Sequence, residues 1–305
     1  MSFLVYRRAT SPCTLQPYYI HVYYLPMSPV STMSMLLKRS GNEAIELNPN
    51  SGTNIHLVVN GSDWYWTVFC ILSVTALAYV VAAFFVPRKE RFFHYTSIAA
   101  AMFSALAYFS MASDLGWTGV QTEFSHYQGG GIRQVFYARY IGWFLASPLL
   151  IINMAFLAGL SWPTVLFVAA MQEVFVVARL IGALIPSEYK WGYFTFGVAA
   201  FILVFYNLAY VAAQSIRTLQ SATTYDKLST YFTAVVGFLG LVYVLSQIAW
   251  GLSEGGNVIS PTSEGVFYGI LDIMALPLVN SVVLFLTRQV DFAELGVTIA
   301  EPVTK

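Results

Sequence analysis

The sequence predicts an all-α integral membrane protein that folds as a bundle of seven transmembrane helices with its N-terminus outside the cell. Of its 305 residues, 57% are hydrophobic and only 10% are charged, whereas soluble domains carry about 25% charged residues. Seven apolar segments are each long enough to cross a bilayer core, which takes about 20 helical residues. Lipid offers no partner to a free backbone group, so each segment is expected to be helical.

The seven predicted spans are joined by short connections, which indicates one bundle without a second domain. They lie near residues 64–86, 93–112, 135–158, 162–185, 191–213, 229–250 and 266–287. The corresponding organisation is an extracellular tail over 1–62, the transmembrane domain over 63–288 and a cytoplasmic tail over 289–305. A start of translation at Met33 or Met35 would remove the first part of the N-terminal tail.

The orientation follows from the basic residues in the loops. The first loop, 87–93, contains three of them and the fifth loop, 214–230, contains two, whereas the alternate loops contribute only Arg133 and Lys190. Basic residues concentrate in cytoplasmic loops, which places the N-terminus outside. The connection 253–265, SEGGNVISPTSEG, is rich in turn residues and predicts a short hairpin on the outer side.

Composition excludes several classes of function. A formal net charge of zero disfavours nucleic acid as a partner. The two cysteines form no disulfide framework, and the sequence has no pairing of a nucleophile with a base and no phosphate-binding loop, so we do not expect an enzyme. The four histidines lie in the tail, in loops or at the ends of spans, which argues against a metal site: His21, His56, His94 and His126.

Four residues with formal charge fall inside the predicted spans, namely Arg139, Glu173, Arg179 and Asp272. Such charges are costly in lipid and normally face the interior of the bundle. With a rise of about 1.5 Å per residue, Arg139, Asp272 and Tyr108 lie at similar depths near the outer surface. We therefore predict that Asp272 pairs with Arg139 and that Tyr108 donates a hydrogen bond to the carboxylate.

An alternative is that these residues are unrelated charges near helix ends that extend to water. It applies more strongly to Arg179 than to Arg139. Glu173 lies nearer the midplane, and six residues turn an ideal helix by about 600°, so Glu173 and Arg179 do not share a face. The sequence assigns Glu173 no role beyond membership of a buried polar cluster.

Several motifs resemble those of the microbial rhodopsins. The stretch 138–154, ARYIGWFLASPLLIINM, resembles the family's Arg-Tyr-x-x-Trp-x-x-x-(Ser/Thr)-Pro-Leu-Leu signature, and 107–117, AYFSMASDLGW, resembles its Tyr-x-Ser-Met segment. IAWGLSEGGNVIS and GILDIMA, in 248–260 and 269–275, are similar to fungal members. The resemblance covers residues 60–290 in the family's order and implies a seven-helix fold with a retinal pocket.

The resemblance implies a lysine four residues after the aspartate of the seventh helix, where the family binds retinal as a Schiff base. Only a primary amine forms that bond, and this position holds Leu276. All five lysines are predicted to lie in tails or loops: Lys38, Lys89, Lys190, Lys227 and Lys305. We therefore expect no covalently bound retinal and no other cofactor.

The positions that move protons in the family's pumps also differ. Gly142 stands where an acid accepts the Schiff-base proton, and Asn153 stands where a second carboxyl returns one. Neither side chain can bind and release a proton near neutral pH. Ser246 and Gln247 stand at a frequent Tyr-Pro pair of the sixth helix. Five residues remain as candidates to line a residual pocket: Trp143, Tyr243, Trp250, Tyr268 and Met274.

The pattern resembles the fungal opsin-related proteins that lack the retinal lysine, including stress-induced members of the heat-shock type. That resemblance implies a plasma-membrane location, a role in stress, and contacts with the lipid bilayer, with other membrane proteins such as the proton-pumping ATPase, and with further copies of the chain. The favoured function is a non-photoactive protein that acts through contacts and regulates or stabilises other membrane proteins. The alternatives are a receptor that binds a lipid or retinoid without a covalent bond, and a light-independent ion or proton transporter.

Overall fold

The computed structural model describes residues 42–88, 91–124, 131–218 and 222–288, which form a helical bundle with one small β-hairpin. The expectations for the first 41 residues, including the alternative start, and for the C-terminal tail after residue 288 lie outside the described residues. The helices and strands run, in chain order, over Ala44–Leu47, Val59–Phe84, Phe92–Ala112, Thr118–Gln121 (β1), Ile132–Val135 (β2), Tyr137–Leu157, Trp162–Leu184, Lys190–Tyr206, Asn207–Val211, Ala212–Thr218, Ala222–Trp250, Gly251–Gly255, Pro261–Ile273, Met274–Val279 and Asn280–Thr287.

The prediction of seven membrane-spanning helices is confirmed. Within the described residues, seven helices are long and apolar enough to cross a bilayer, and we call them the first to seventh spans. They run over Val59–Phe84, Phe92–Ala112, Tyr137–Leu157, Trp162–Leu184, Lys190–Arg217, Leu228–Gly255 and Pro261–Thr287. Lys190, which was expected in a loop, begins the fifth span.

Three of these spans contain a π-helical turn. The turns are Asn207–Val211 in the fifth span, Gly251–Gly255 at the end of the sixth, and Met274–Val279 in the seventh. The last one includes Pro277, which has no backbone N–H and so cannot maintain the regular α-helical hydrogen-bond pattern. Leu276 lies within this turn, and π-helical turns occur frequently at functional sites.

The expected hairpin in the connection 253–265 is wrong, because this stretch contains the end of the sixth span and the start of the seventh. Ser260 caps the seventh span by accepting a hydrogen bond from the backbone N–H of Ser263 at 3.2 Å, and Pro261 follows at the first helical position. Both are ordinary signals of a helix start. The hairpin instead joins the second and third spans, where β1 and β2 pair antiparallel with Thr118 opposite Val135.

The chain before the first span packs along this hairpin. Ile55 forms a bridge with Arg133, and the backbone N–H of Gln134 donates to the carbonyl of Ile55 at 2.9 Å. The side chain of Gln134 accepts from the N–H of Leu57 at 2.8 Å. Ile55 and Leu57 are buried. We call the end of the bundle that carries β1 and β2 the hairpin end.

Asp114, between the second span and β1, is buried at the hairpin end. Its carboxylate accepts a hydrogen bond from the side chain of Gln134 at 2.6 Å through one oxygen, while the other has no partner in the described structure. Burial raises the pKa of Asp114 above its ordinary value, against the opposing effect of the Gln134 hydrogen bond. A raised pKa in the folded state means that the contribution to stability is full below the unfolded pKa and is lost as pH rises through the folded pKa.

Replacing Asp114 by asparagine is therefore expected to remove a pH-dependent destabilisation. Asparagine keeps an oxygen that accepts from Gln134 and tolerates the left-handed backbone, φ 53°, at this position. We expect the thermal midpoint of Asp114→Asn to match the wild type near pH 4 and to exceed it by about 2 °C at pH 7. Thermal unfolding in detergent across this pH range measures the difference, and Asp63→Asn, at an exposed carboxyl, is the control. A difference that does not change with pH would contradict the expectation.

Candidate functional site

The candidate site is built around Asp272 in the seventh span. Its two carboxylate oxygens accept hydrogen bonds from the Tyr108 hydroxyl at 2.5 Å and from the indole N–H of Trp143 at 2.9 Å. Tyr108 comes from the second span and Trp143 from the third, so the carboxylate joins three helices. Both contacts lie in the interior of the bundle, and Asp272 is only 2% exposed. The hydrogen bond from Tyr108 is the one that the sequence predicted.

The predicted ion pair between Arg139 and Asp272 is wrong. Arg139 instead pairs with Glu264, at 3.0 Å between Nη1 and Oε1, and its guanidinium lies 4.1 Å from the centre of the Tyr268 ring. Glu264 precedes Asp272 by eight residues, which places it about 12 Å nearer the hairpin end. The long side chain of Arg139 therefore extends toward the hairpin end and away from Asp272.

Glu264 also binds Arg133, which reaches into the bundle from β2. The distance between Arg133 Nη2 and Glu264 Oε2 is 2.7 Å, and Arg133 Nη1 donates to Asn257 Oδ1 at 2.8 Å and to the Ile259 carbonyl at 2.7 Å. Arg133, Glu264 and Arg139 thus form a buried triad of two cations and one anion. Arg133 was expected in a loop, and Glu264 was not among the predicted site residues.

Two further acids are held at the hairpin end. Glu254 accepts a hydrogen bond from the Tyr140 hydroxyl at 2.8 Å and one from Ser253. Lys190 pairs with Glu123 at 3.1 Å and is buried there. The amine of Lys190 is therefore engaged in an ion pair at the hairpin end, although the residue begins a span.

A cavity of about 30 Å³ lies between Asp272, Arg139 and Arg179. The guanidinium of Arg179 donates to the carbonyl of Ser246 at 2.9 Å and to the Tyr268 hydroxyl at 2.8 Å. It forms no ion pair with a carboxylate of the described residues. Tyr268 and Ser246 also line this cavity, so Arg179 bridges the sixth and seventh spans across one side of it.

The residues predicted to line a residual pocket divide into two groups. Trp143, Tyr243 and Tyr268 line the cavity, whereas Trp250 and Met274 do not. Trp250 is fully buried and stacks on a neighbouring ring, Phe194, at 4.9 Å between centroids. Met274 is partly buried against the core.

The cavity has no room for retinal. Its volume suits about two water molecules, whereas pockets for ligands of drug-like size enclose about 300–1,000 Å³. The ring of Tyr243 stacks on Phe175 at 5.5 Å and meets Trp143 edge-on at 5.7 Å, so these aromatic rings fill the space around the cavity. One turn beyond Asp272, Leu276 is 1% exposed and supplies no amine. The residues present therefore do not fit the family's chromophore.

Gly142 and Asn153, at the positions that differ from the family's pumps, both serve packing in this structure. A Cβ atom at Gly142 would lie 2.6 Å from the Cβ of Ala107, so only glycine allows the second and third spans to approach this closely. Asn153 accepts a hydrogen bond from Thr96 at 2.6 Å and donates to Ser97 at 3.1 Å. The cluster around Asn153 is thus built from neutral side chains.

Glu173 does not belong to the site. It does not line the cavity, and its Oε2 atom has no hydrogen-bond partner in the described structure. The predicted polar cluster is therefore reduced to Arg139, Arg179, Asp272 and Tyr108, and Glu264 is an additional acid that the prediction did not include. The described residues contain no group of three histidine, cysteine or acidic side chains that could hold a metal ion.

Comparisons with known proteins agree with this architecture. Residues 61–276 match the family model described as bacteriorhodopsin-like protein. The chain is 41% identical over 267 residues to the opsin-like protein carO of Fusarium fujikuroi, with 85% of each chain covered. It is 37% identical to the 30 kDa heat shock protein of Saccharomyces cerevisiae, covering 79% of this chain and 76% of that one.

Among solved structures, the light-driven proton pump rhodopsin of Coccomyxa subellipsoidea superposes with a TM-score of 0.70 at 30% identity. The match covers 76% of this chain and 98% of the pump. The seven-helix arrangement is thus shared along almost the whole length of that protein.

Proposed function

The chain belongs to the bacteriorhodopsin-like family, and from this premise we propose that it is a non-photoactive member that acts through contacts with other membrane proteins. Leu276 is the observation that carries the proposal, because it stands where the resemblance places the retinal lysine. Without a primary amine no Schiff base forms, and without a chromophore light has no absorber in the bundle. The cavity of about 30 Å³ supports the same conclusion for retinal held without a covalent bond.

Seven spans make the chain an integral membrane protein. We propose the plasma membrane as its location, with the N-terminus outside, because the basic residues concentrate in the first and fifth loops. A relative bears the name 30 kDa heat shock protein. By analogy, we propose that this chain acts in stress, where it regulates or stabilises membrane proteins, with the proton-pumping ATPase as one partner.

The two alternatives have less support. A receptor for a retinoid or lipid needs a larger cavity than the one between Asp272 and Arg179. A proton transporter needs groups that titrate along a continuous path, and the side chains around Asn153 are neutral hydroxyls and amides. Neither alternative is favoured by a specific contact in the site.

The proposal predicts a defect in membrane-protein turnover under heat stress when the chain is absent. We expect deletion to shorten the half-life of a subset of plasma-membrane proteins by about twofold, a loss of stability of the size that changes abundance in cells. Quantitative mass spectrometry after a pulse of isotopic label measures these half-lives. The intact chain and the cavity variant Tyr243→Phe are expected to restore them equally, in darkness and in light. Identical half-lives in deletion and wild-type cells, or a rescue that needs light, would overturn the proposal.

A further inference from the structure

Glu173 is an intramembrane acid that the bundle itself does not use. It lies at the midpoint of the fourth span, Trp162–Leu184, and therefore about 16 Å from either end. Its side chain is half-buried, and no hydrogen bond or ion pair to it exists in the described structure. The other acids of the described spans each accept at least one hydrogen bond: Asp63, Glu254, Glu264 and Asp272.

An acid without a partner near the bilayer midplane is costly, and such residues normally pair with another group. Headgroups lie too far away to serve, because Glu173 is about three helical turns from either end of the span. Within the described bundle, the buried Oε2 atom of this carboxyl has no hydrogen-bond partner on a neighbouring span. A basic group from outside the described bundle would offset this cost.

The surface around Glu173 is suited to another helix. Exposed apolar side chains continue the same face of the fourth span in both directions, and we call this surface the Glu173 strip: Leu166, Ala170, Glu173, Val177 and Ile181. These residues recur at intervals of three and four, so they line one side of the helix. Ala170, one turn before Glu173, is small enough to let a second helix backbone approach the acid closely.

We propose that the Glu173 strip is an intramembrane docking surface for one transmembrane helix of a partner protein that carries a basic side chain at the same depth. Charge complementarity selects this partner, because an unpaired carboxylate attracts a lysine or arginine whose charge is equally costly in lipid. A second copy of the chain would bring another carboxylate to the same depth, and like charges repel. The inference rests on the proposed contact function and identifies the surface through which that function operates.

The test uses the purified full-length chain in phosphatidylcholine vesicles with two synthetic leucine-alanine helices of about 20 residues, which differ only in a central lysine or leucine. Energy transfer between a donor on the chain and an acceptor on the helix measures binding. We expect about tenfold tighter binding of the lysine helix, loss of this preference in Glu173→Gln, and weaker binding in Ala170→Trp, which keeps the acid but blocks close approach.

Three results would overturn the inference. They are equal binding of the two helices by the wild type, an unchanged preference in Glu173→Gln, and energy transfer between copies of the chain that depends on Glu173. Glu173→Gln is expected to unfold at the wild-type temperature, because the carboxyl has no partner within the described bundle. The two proposals can fail separately. If the lysine helix does not bind but deletion still causes the turnover defect, only the docking role of the Glu173 strip is wrong. If the lysine helix binds but deletion causes no turnover defect, the contact function is wrong.

Discussion

Replacing Glu264 by alanine is expected to destabilise the protein by about 3–5 kcal/mol, because both arginines of the triad lose their partner. Glu264 lies 2.7 Å from Arg133 and 3.0 Å from Arg139, and all three side chains are buried. Removing the anion of the triad leaves Arg133 and Arg139 without an ion-pair partner among the described residues. Unfolding in mixed micelles, followed by circular dichroism, measures the loss, which corresponds to a fall in thermal midpoint of about 10 °C.

The composition of the triad makes this prediction asymmetric. Arg133→Met removes one of two cations and leaves Arg139 and Glu264 as a balanced pair, so we expect a loss of about 1–2 kcal/mol, mainly from the hydrogen bonds to Asn257 and Ile259. In the double variant, Glu264→Ala with Arg133→Met, the loss in free energy of unfolding is expected to be smaller than the sum of the two single losses, since the residues share one network. Glu188→Ala, at an exposed acid, is the control. Equal losses in Glu264→Ala and Arg133→Met would contradict the account of the triad.

The triad also shows where reasoning from the sequence succeeds and where it fails. The helical rise per residue gives the depth of a backbone position in the membrane. For Tyr108 and Asp272 this depth was sufficient to predict their hydrogen bond, because both side chains point across the bundle. For Arg139 the depth was not sufficient, because its long side chain reaches Glu264, which lies about two turns from Asp272 along the seventh span. The direction of a long side chain depends on tertiary packing, which the spacing of residues does not contain.

Glu264 was missed because the connection 253–265 was interpreted only by its content of turn residues. Ser260 followed by Pro261 is a helix-start signal, and it places Glu264 inside the first turn of the seventh span. The hairpin was misplaced for a similar reason. The run of glycines just before β2 is a turn signal between two short strands, and it was not used.

The volume of the cavity could not be predicted from the sequence. Its volume depends on how Tyr243, Phe175 and Trp143 pack against one another, with ring centroids 5.5–5.7 Å apart. A list of aromatic residues in the right spans predicts only that a pocket can form. Whether large side chains enclose a ligand or fill the space is decided by rotamers that differ by a few ångströms.

Restoring the missing amine alone is expected to give no pigment, because a second residue blocks the cavity. Arg179 lines the cavity and is fixed across it by Ser246 and Tyr268, which leaves about 30 Å³ beside Asp272. We expect Leu276→Lys to show no visible absorption band after reconstitution with all-trans retinal, like the wild type. The double variant Leu276→Lys with Arg179→Ala, which removes the guanidinium and most of its stem, is expected to bind at least about tenfold more retinal.

Two readouts separate the amine from the cavity in this experiment. Absorption reports a formed pigment, and the mass of the peptide that contains position 276, after borohydride reduction, reports a covalent adduct there whether or not it absorbs. Arg179→Ala alone is expected to give no adduct at position 276, because Leu276 cannot form a Schiff base. The matched control combines Leu276→Lys with Arg217→Ala, which removes an exposed arginine far from the cavity. If Leu276→Lys alone bound as much retinal as the double variant, Arg179 would not be the barrier. A visible absorption band that forms on the wild-type chain with retinal would refute the non-photoactive assignment.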